Sequence, residues 1–419
     1  MTGFNYVSLF SGIGGFETAL NRLGGNCVLA SEIDKFANQS YGALYGEPTA
    51  GDITAIKAED VPDHDVLVGG FPCQSFSVAG KRGGFDDARG TLFFEVARLA
   101  KEKQPKVVLL ENVKGLVGHD GGKTLDVIVQ TLNDIGYHVD FNVLNSKYFG
   151  VPQNRERIFI VALRDDIVEP SEWVIEGTNV MAKGKRRIAA YDGTKTFSFD
   201  WPHQTEVTTR LRDVLEATVD KRYYLSEEKT VKLVAQLSGT TSVERVEVIP
   251  VLTPDREEKR QKGRRFKEND DEAFTITSQD RHGVLLAQKE ALVLAESYMK
   301  DEDNLSVKIH DNLDLRPHRN DIRKSGVRSI TIVNHEKNVS NAVISAHEPK
   351  IYGESTKYRI RKLTPLECWR LQGFSDEQHQ TVVNAGLSDS QRYKQAGNAV
   401  TVNVIQAIGE RILTLLIGK

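Results

Sequence analysis

The first 165 residues alternate short β-rich runs with amphipathic stretches of helical period, and nothing else in the chain restricts its fold as much. Residues 6–10, 28–31, 65–69, 107–111, 139–144 and 158–163 read as strands, rich in Val, Ile, Leu and Phe. Helical patterns at 16–23, 92–101 and 125–135 lie between them. Strands separated by helices predict an α/β fold with a doubly wound, mostly parallel sheet. The last two strands lack a helical crossover. A tight connection over 146–156 joins them instead, which predicts an antiparallel pair.

From about 166 to 357 the pattern changes to short, irregular strand-like pieces with polar connections. This predicts a second, smaller, irregular β-rich domain after a first domain at 1–165. A chain of 419 residues has room for two or three domains. With 55 Lys+Arg against 58 Asp+Glu the net charge is -3, so any nucleic-acid surface must gather its positive charge locally. Two stretches do so: 253–268 holds seven basic against four acidic residues, and 315–328 holds five against one. Charge runs of this kind also serve as ordinary solvated loops. Three cysteines without a CxxC or a His/Cys cluster argue against a disulfide framework and against a metal site, and make a reducing compartment the default. No run approaches the ~18 apolar residues of a membrane span, and the closing apolar helix, 401–417, reads as too short and too amphipathic for one. The expectation from these features is a soluble, cytoplasmic protein.

A glycine turn, Phe10-Ser11-Gly12-Ile13-Gly14-Gly15, follows the first strand and opens a helix. Glycines there allow a tight turn and close approach of a ligand to the backbone. A dinucleotide fingerprint needs a third glycine at position 17, where Glu17 stands. A carboxylate at a helix start also repels a pyrophosphate. A phosphate-free nucleoside such as S-adenosylmethionine fits better. Glu32, ending the second strand, is placed to accept hydrogen bonds from ribose hydroxyls, and Asp52 to accept one from an adenine amino group.

Cys73, in Gly69-Gly70-Phe71-Pro72-Cys73-Gln74, follows the third strand at the carboxyl edge of the sheet, where ligands bind in this architecture. A cysteine there serves as a thiolate nucleophile if nearby positive charge lowers its pKa. Cys27 and Cys368 read instead as small packed hydrophobes. Glu111 ends an otherwise apolar strand, an expensive place for a carboxylate unless it is paired or functional. Arg155 and Arg157, in Gln153-Asn154-Arg155-Glu156-Arg157, point to one side of an extended chain. Two guanidiniums there suit a carboxylate, a base carbonyl or a phosphate, or a structural ion pair. At 364–367, Thr364, Pro365 and Glu367 form a helix-start signature.

Taken together, these blocks resemble the DNA cytosine-5 methyltransferases of the bacterial and phage restriction–modification type. The resemblance rests on the glycine turn at 10–15, Phe-Pro-Cys-Gln at 71–74, Glu-Asn-Val at 111–113, Gln-Asn-Arg-Glu-Arg at 153–157, the block at 361–373 and Gln-Ala-Gly-Asn-Ala-Val at 395–400, in that order. It covers about 3–165 and 358–415. It implies a Rossmann-like S-adenosylmethionine-dependent sheet and a smaller β-rich target-recognition domain at 166–393, with the C-terminal helix folding back so that 394–419 completes the 1–165 domain.

By that resemblance, Cys73 attacks C6 of a cytosine flipped out of duplex DNA, Glu111 bonds N3 and the exocyclic amine, Arg155 bonds O2 and Arg157 orients the pocket. Phe10, Gly12, Ile13, Gly14, Gly15, Glu32, Ile33, Asp52, Ile53, Pro72, Asn398, Ala399 and Val400 would hold the cofactor. Lys81, Arg82 and Arg89, in a glycine-rich candidate lid at 80–90, and Thr275 would contact DNA. Thr275 is followed by Ile276 where the family's element has leucine. The implied partner is double-stranded DNA, the implied state a monomer, and a cognate restriction endonuclease would act separately. An RNA cytosine methyltransferase is the nearest alternative, but its Cys-Phe-Thr element is absent. A catalytically silent DNA-binding protein is the other, and it gives no reason for Cys73, Glu111, Arg155 and the glycine turn to occur together.

Overall fold

The computed structural model describes residues 3–72, 92–237, 248–256, 264–295, 298–300, 305–307, 314–317, 328–333, 339–344 and 351–417. Cys73, Lys81, Arg82 and Arg89, with the rest of the 80–90 segment, lie outside the described residues. The chain divides into two compact units, one formed by 1–219, 271–282 and 363–419, the other by 220–270 and 283–362.

The first unit is built on a sheet of β1 (Phe4–Leu9), β2 (Gly25–Ser31), β3 (Val66–Gly69), β4 (Val107–Val113), β5 (Tyr137–Asn145) and β6 (Glu156–Arg164). Their spatial order is β2-β1-β3-β4-β6-β5. The first four run parallel. The strand β6 is antiparallel to both β4 and β5, with Tyr137 opposite Arg164 and Asn145 opposite Glu156. The parallel part and the antiparallel closing pair both match the sequence reading. Central strands buried on both faces need apolar side chains throughout, which Val107 to Leu110 and Ile158 to Leu163 supply.

Helices α1 (Gly15–Arg22), α2 (Lys35–Tyr45), α3 (Leu92–Lys103) and α4 (Lys123–Asp134) accompany the sheet. Residues of α3 and α4 such as Phe93, Leu99, Leu125, Ile128 and Leu132 share one buried cluster with Val7, Leu67 and Val108. The pattern reading does not single out α2. Its start is set by Asp34, whose carboxylate accepts from the N–H groups of Phe36 and Ala37.

The first unit extends beyond the expected boundaries at 165/166 and 393/394. Residues 166–204 are tied to β5 through buried Asp140. Its carboxylate accepts from the Lys185 ammonium at 2.6 Å, the Phe199 N–H at 3.0 Å and the Trp201 indole N–H at 2.8 Å. Helices α5 (Val180–Ala189), α6 (Glu227–Val234), α7 (Pro365–Arg370), α8 (Asp376–Asn384), α9 (Asp389–Asn398) and α10 (Val402–Ile417) follow in chain order, and all but α6 belong to the first unit. The Thr364 cap, Pro365 at the first turn and Glu367 bonded back form the expected capping box on α7. The stretch Asp389–Leu416 is long and apolar enough to cross a membrane by length and composition, contrary to the sequence reading. It is broken into α9 and α10, and half of its most apolar window is buried inside the protein.

The second unit is β-rich, as expected of the irregular middle. Its larger sheet places Asp314–Pro317, Arg328–Val333, Val339–Ile344, Ile351–Lys362, Gly283–Ala295 and Val248–Val251 side by side, antiparallel throughout. Leu233 of α6 packs there with Ile249, Val251, Phe266, Leu285 and Ile360.

Candidate active site

The carboxyl ends of β1 to β4 open onto a cavity of about 470 Å³ in the first unit. Loops following parallel strands converge there because every such strand points its carbonyl end the same way. Phe10, Gly12, Ile13, Glu32, Ile33, Asp52, Ile53 and Pro72 line it, with Glu111, Arg155, Arg157, Asn398 and Ala399. Gly14, Gly15 and Val400 do not. They pack behind the wall: a Cβ on Gly15 would lie 2.6 Å from Cγ2 of Val400. The absent side chain at position 15 lets the C-terminal segment close against the turn.

The turn is built by its own backbone. Phe10 is held at φ 55°, a left-handed conformation unusual for a side chain of that size. Gly14, at φ 80°, precedes α1. One carboxylate oxygen of Glu32 accepts from the Gly12 N–H at 2.9 Å and the other from the Asp34 N–H at 2.7 Å. The carboxylate is thereby fixed while each oxygen keeps lone pairs for a ligand. Ile33 is 74% exposed beside it, a large apolar side chain presented to the cavity. Asp52 bonds the Thr54 N–H with one oxygen. The acidic lining at Glu32, Asp34 and Asp52 disfavours a phosphorylated ligand, and the fixed acceptors suit a ribose diol.

At the other end of the cavity, Nε of Arg157 lies 3.1 Å from Oε1 of Glu111. These residues come from neighbouring strands, β4 and β6. Burial raises the Glu111 pKa, and the charges of Arg157 and Arg155 act against that rise. Burial lowers the Arg157 pKa, with Glu111 opposing.

Arg155 is 2% exposed. Its terminal nitrogens donate to the carbonyls of Ile276 at 2.9 Å, Gly397 at 3.2 Å and Ala399 at 2.8 Å. One guanidinium thus staples the 271–282 segment and the end of α9 to the β5–β6 connection. Gln153 reinforces this staple: its amide donates to the Leu371 carbonyl and accepts from the Ile276 N–H. The Thr275 hydroxyl donates to the Asn154 carbonyl, and the Thr275 carbonyl meets Nε2 of His282 at 3.0 Å.

Cys368 is buried, as read from the sequence. Cys27 is half-buried, with its thiol pushed up to about 12 by burial and then by the Glu17 charge. No cluster of metal-ligating side chains occurs among the described residues. Residues that the sequence reading passed over also belong here. Asn112 donates to the Phe71 carbonyl at 2.9 Å and so holds the approach to Pro72. Ser31, Asp34, Lys394 and Gln395 join the lining. The position of Asn112 immediately after Glu111 was the available signal.

Residues 4–414 match the family of C-5 cytosine-specific DNA methylases. The chain belongs to that family. Among its relatives, the orphan methyltransferase M.SPBetaI of Bacillus phage SPbeta is 37% identical over 100% of this chain and 99% of its own length. The type II methyltransferase M.HhaI of Haemophilus parahaemolyticus is 30% identical over 98% and 95%. The solved structure of the S. pombe Dnmt2 methyltransferase shares the fold, with a TM-score of 0.55 at 19% identity, covering 99% of this chain and all of that one. As a C-5 cytosine-specific DNA methylase of the bacterial and phage type, the protein is a DNA cytosine-5-methyltransferase, and its activity requires a methyl donor.

Proposed function

We propose that the protein methylates C5 of a cytosine flipped out of double-stranded DNA, with S-adenosylmethionine as donor and Cys73 as nucleophile. The observation that carries this reading is one cavity holding the Glu111–Arg157 pair at one end and the fixed Glu32 carboxylate beside Phe10 and Ile33 at the other. Glu32 receives the ribose hydroxyls, Phe10 and Ile33 cover the adenine, and Asp52 accepts from its amino group. Asn398 and Ala399 face the amino acid end. Bound there, S-adenosylmethionine supplies an electrophilic methyl group.

Cytosine C5 is a poor nucleophile. Addition of the Cys73 thiolate to C6 breaks the aromaticity of the ring and makes C5 enamine-like. Electron density then accumulates toward N3. A Glu111 carboxyl whose pKa burial raises holds a proton more readily, so it donates to N3 as that density builds and accepts from the exocyclic amine. Once C5 is alkylated its proton leaves to solvent or a base, and the thiolate is expelled as C5=C6 re-forms.

The hydrogen bonds support a division of roles between the two arginines. The resemblance gives the O2 contact to Arg155, yet both its terminal nitrogens already serve backbone carbonyls. Arg157 has its guanidinium beside Glu111 and bonds one carbonyl, that of its neighbour Glu156, rather than distant segments, which favours giving the O2 contact to Arg157 and the positioning role to Arg155.

Protection of DNA from a separate restriction endonuclease is the role this chemistry suits, with the protein acting as a cytoplasmic monomer. DNA carrying 5-fluorocytosine tests the mechanism, because fluorine does not leave as a proton. With S-adenosylmethionine present, a covalent complex accumulates with the native protein and not with Cys73→Ser. Equal trapping by the variant would remove Cys73 from the mechanism. Transfer to RNA alone would remove DNA as the substrate.

A further inference from the structure

Lys394 has no part in the chemistry above, yet it lines the same cavity. It lies on α9, one turn before Asn398, so both face the same side of that helix. Its Nζ meets Oδ2 of Asp34 at 2.6 Å, across 360 residues of sequence. The other oxygen of Asp34 accepts the Phe36 and Ala37 N–H groups that begin α2. The Asp34 N–H in turn donates to Oε1 of Glu32. The next residue on α9, Gln395, donates to the Phe36 carbonyl at 3.0 Å and to Oγ of Ser40 at 2.8 Å. Two consecutive residues of α9 therefore grip the first turns of α2. The ammonium stands at the start of a chain of contacts that ends on the Glu32 carboxylate.

We propose that Lys394 is a positioning residue for the nucleoside end of the cofactor. Through Asp34 it fixes the backbone N–H that aims Glu32, and so sets the geometry in which Glu32 receives a ribose diol. The inference rests on the cofactor reading given above and goes beyond it, since Lys394 acts without touching the transferred methyl. Its location beside Asn398 offers a different role, direct pairing with the carboxylate at the amino acid end. The two roles are separable with ligands that differ only at that end.

The experiment measures binding to the full-length protein by calorimetry, with S-adenosylhomocysteine and 5′-methylthioadenosine as probes. The second probe keeps adenine and ribose and lacks the amino acid. Lys394→Met weakens both by the same factor, about two- to fivefold, the upper part of the range of a partly exposed ion pair. Lys394→Arg keeps charge and reach and restores both affinities. Asp34→Asn still caps α2, because asparagine is an equally good cap, but it no longer holds the ammonium. It gives the same paired loss, and the double variant is no weaker than either single one. Circular dichroism and thermal melting establish that each variant is folded. If Lys394→Met folds poorly, Asp34→Asn alone decides the outcome. Unchanged affinity for both probes, or a loss confined to S-adenosylhomocysteine, would overturn the inference. If the native protein bound neither probe, the cofactor reading itself would fall and this inference with it.

Discussion

The phenol of Tyr45 donates to the Gly14 carbonyl at 2.6 Å, and its ring occupies the space a side chain on Gly14 would need, with an added Cβ only 2.2 Å from it. The Thr18 hydroxyl lies 2.8 Å from the same phenol oxygen. A residue of α2 thereby sets the shape of the glycine turn from behind. Tyr45→Phe keeps the ring and removes the hydroxyl, leaving the Gly14 carbonyl with the Thr18 N–H alone. Urea denaturation should show a loss of about 0.5–1.5 kcal/mol, the net worth of one hydrogen bond. Calorimetry with S-adenosylhomocysteine should show weaker binding from the loosened turn.

Glu17 provides a pH signature. It is fully buried in the first turn of α1, and neither carboxylate oxygen has a hydrogen-bond partner. Burial pushes its pKa up to about 7, against weaker opposing contributions from the Ser8 hydroxyl, its own backbone N–H and the hydroxyls of Ser11 and Tyr41, which lie near without hydrogen-bonding geometry. An unfolded glutamate titrates near its ordinary value of about 4.3. Below that value both states hold the proton and Glu17 contributes nothing to pH dependence. Between there and about 7 the folded state keeps a proton that the unfolded chain releases, so stability falls as pH rises. Above about 7 the penalty is complete and flat. Glu17→Gln cannot ionise and should remove this decline, leaving the variant more stable at pH 8 relative to pH 4 by up to about 3 kcal/mol. Parallel slopes in the two proteins over pH 4–8 would show that Glu17 ionises freely in the native state.

The contrast between legible and illegible parts of this molecule has a physical basis. The strands at 107–111 and 158–163 were readable because a central strand covered on both faces must be apolar along its length. Glu32 and Glu111 were readable because each puts a carboxylate at the end of an apolar strand, whereas Phe10 was legible only through the resemblance. Helix α2 was not: Lys35–Tyr45 carries Asn, Gln, Ser and Gly, and buries only Ala37, Ser40 and Tyr41. Its apolar stripe is too thin to signal a helix. The separate surroundings of Arg155 and Arg157 were hidden for another reason. Alternation along an extended chain puts both on one side, but the partners of Arg155 come from residues 276, 397 and 399. The domain boundary was missed near 166 because Asp140 binds donors from 185, 199 and 201, and nothing local marks a contact at that sequence distance.

Asp140 shows how strongly that boundary is fixed. It is 2% exposed and carries a buried ion pair with Lys185. Asp140→Ala leaves the ammonium and three N–H donors, those of Phe141, Phe199 and the Trp201 indole, facing a void. The expected cost is about 3–5 kcal/mol, the range for breaking a buried pair by removing one partner. Limited proteolysis should then cut first within 166–204, while the sheet persists. Uniform digestion would mean that Asp140 supports the whole unit rather than this segment.

The two arginines of the β5–β6 connection should fail in opposite ways. Arg155 is a staple: replacing it with Met strands the carbonyls of Ile276, Gly397 and Ala399 in the interior. Several unsatisfied buried acceptors cost about 1–3 kcal/mol each, so Arg155→Met should lower the melting temperature sharply. Arg157→Met removes the partner of Glu111, but a carboxyl whose pKa burial already raises can keep its proton instead of standing as an unpaired charge. Its stability should change little. Its turnover should fall by on the order of 10²-fold, because a donor aimed at the reacting base is lost where water is excluded. Melting curves and single-turnover methyl transfer, measured on both variants under one set of conditions, separate the roles. A normal melting temperature for Arg155→Met combined with lost turnover would return the base contact to Arg155.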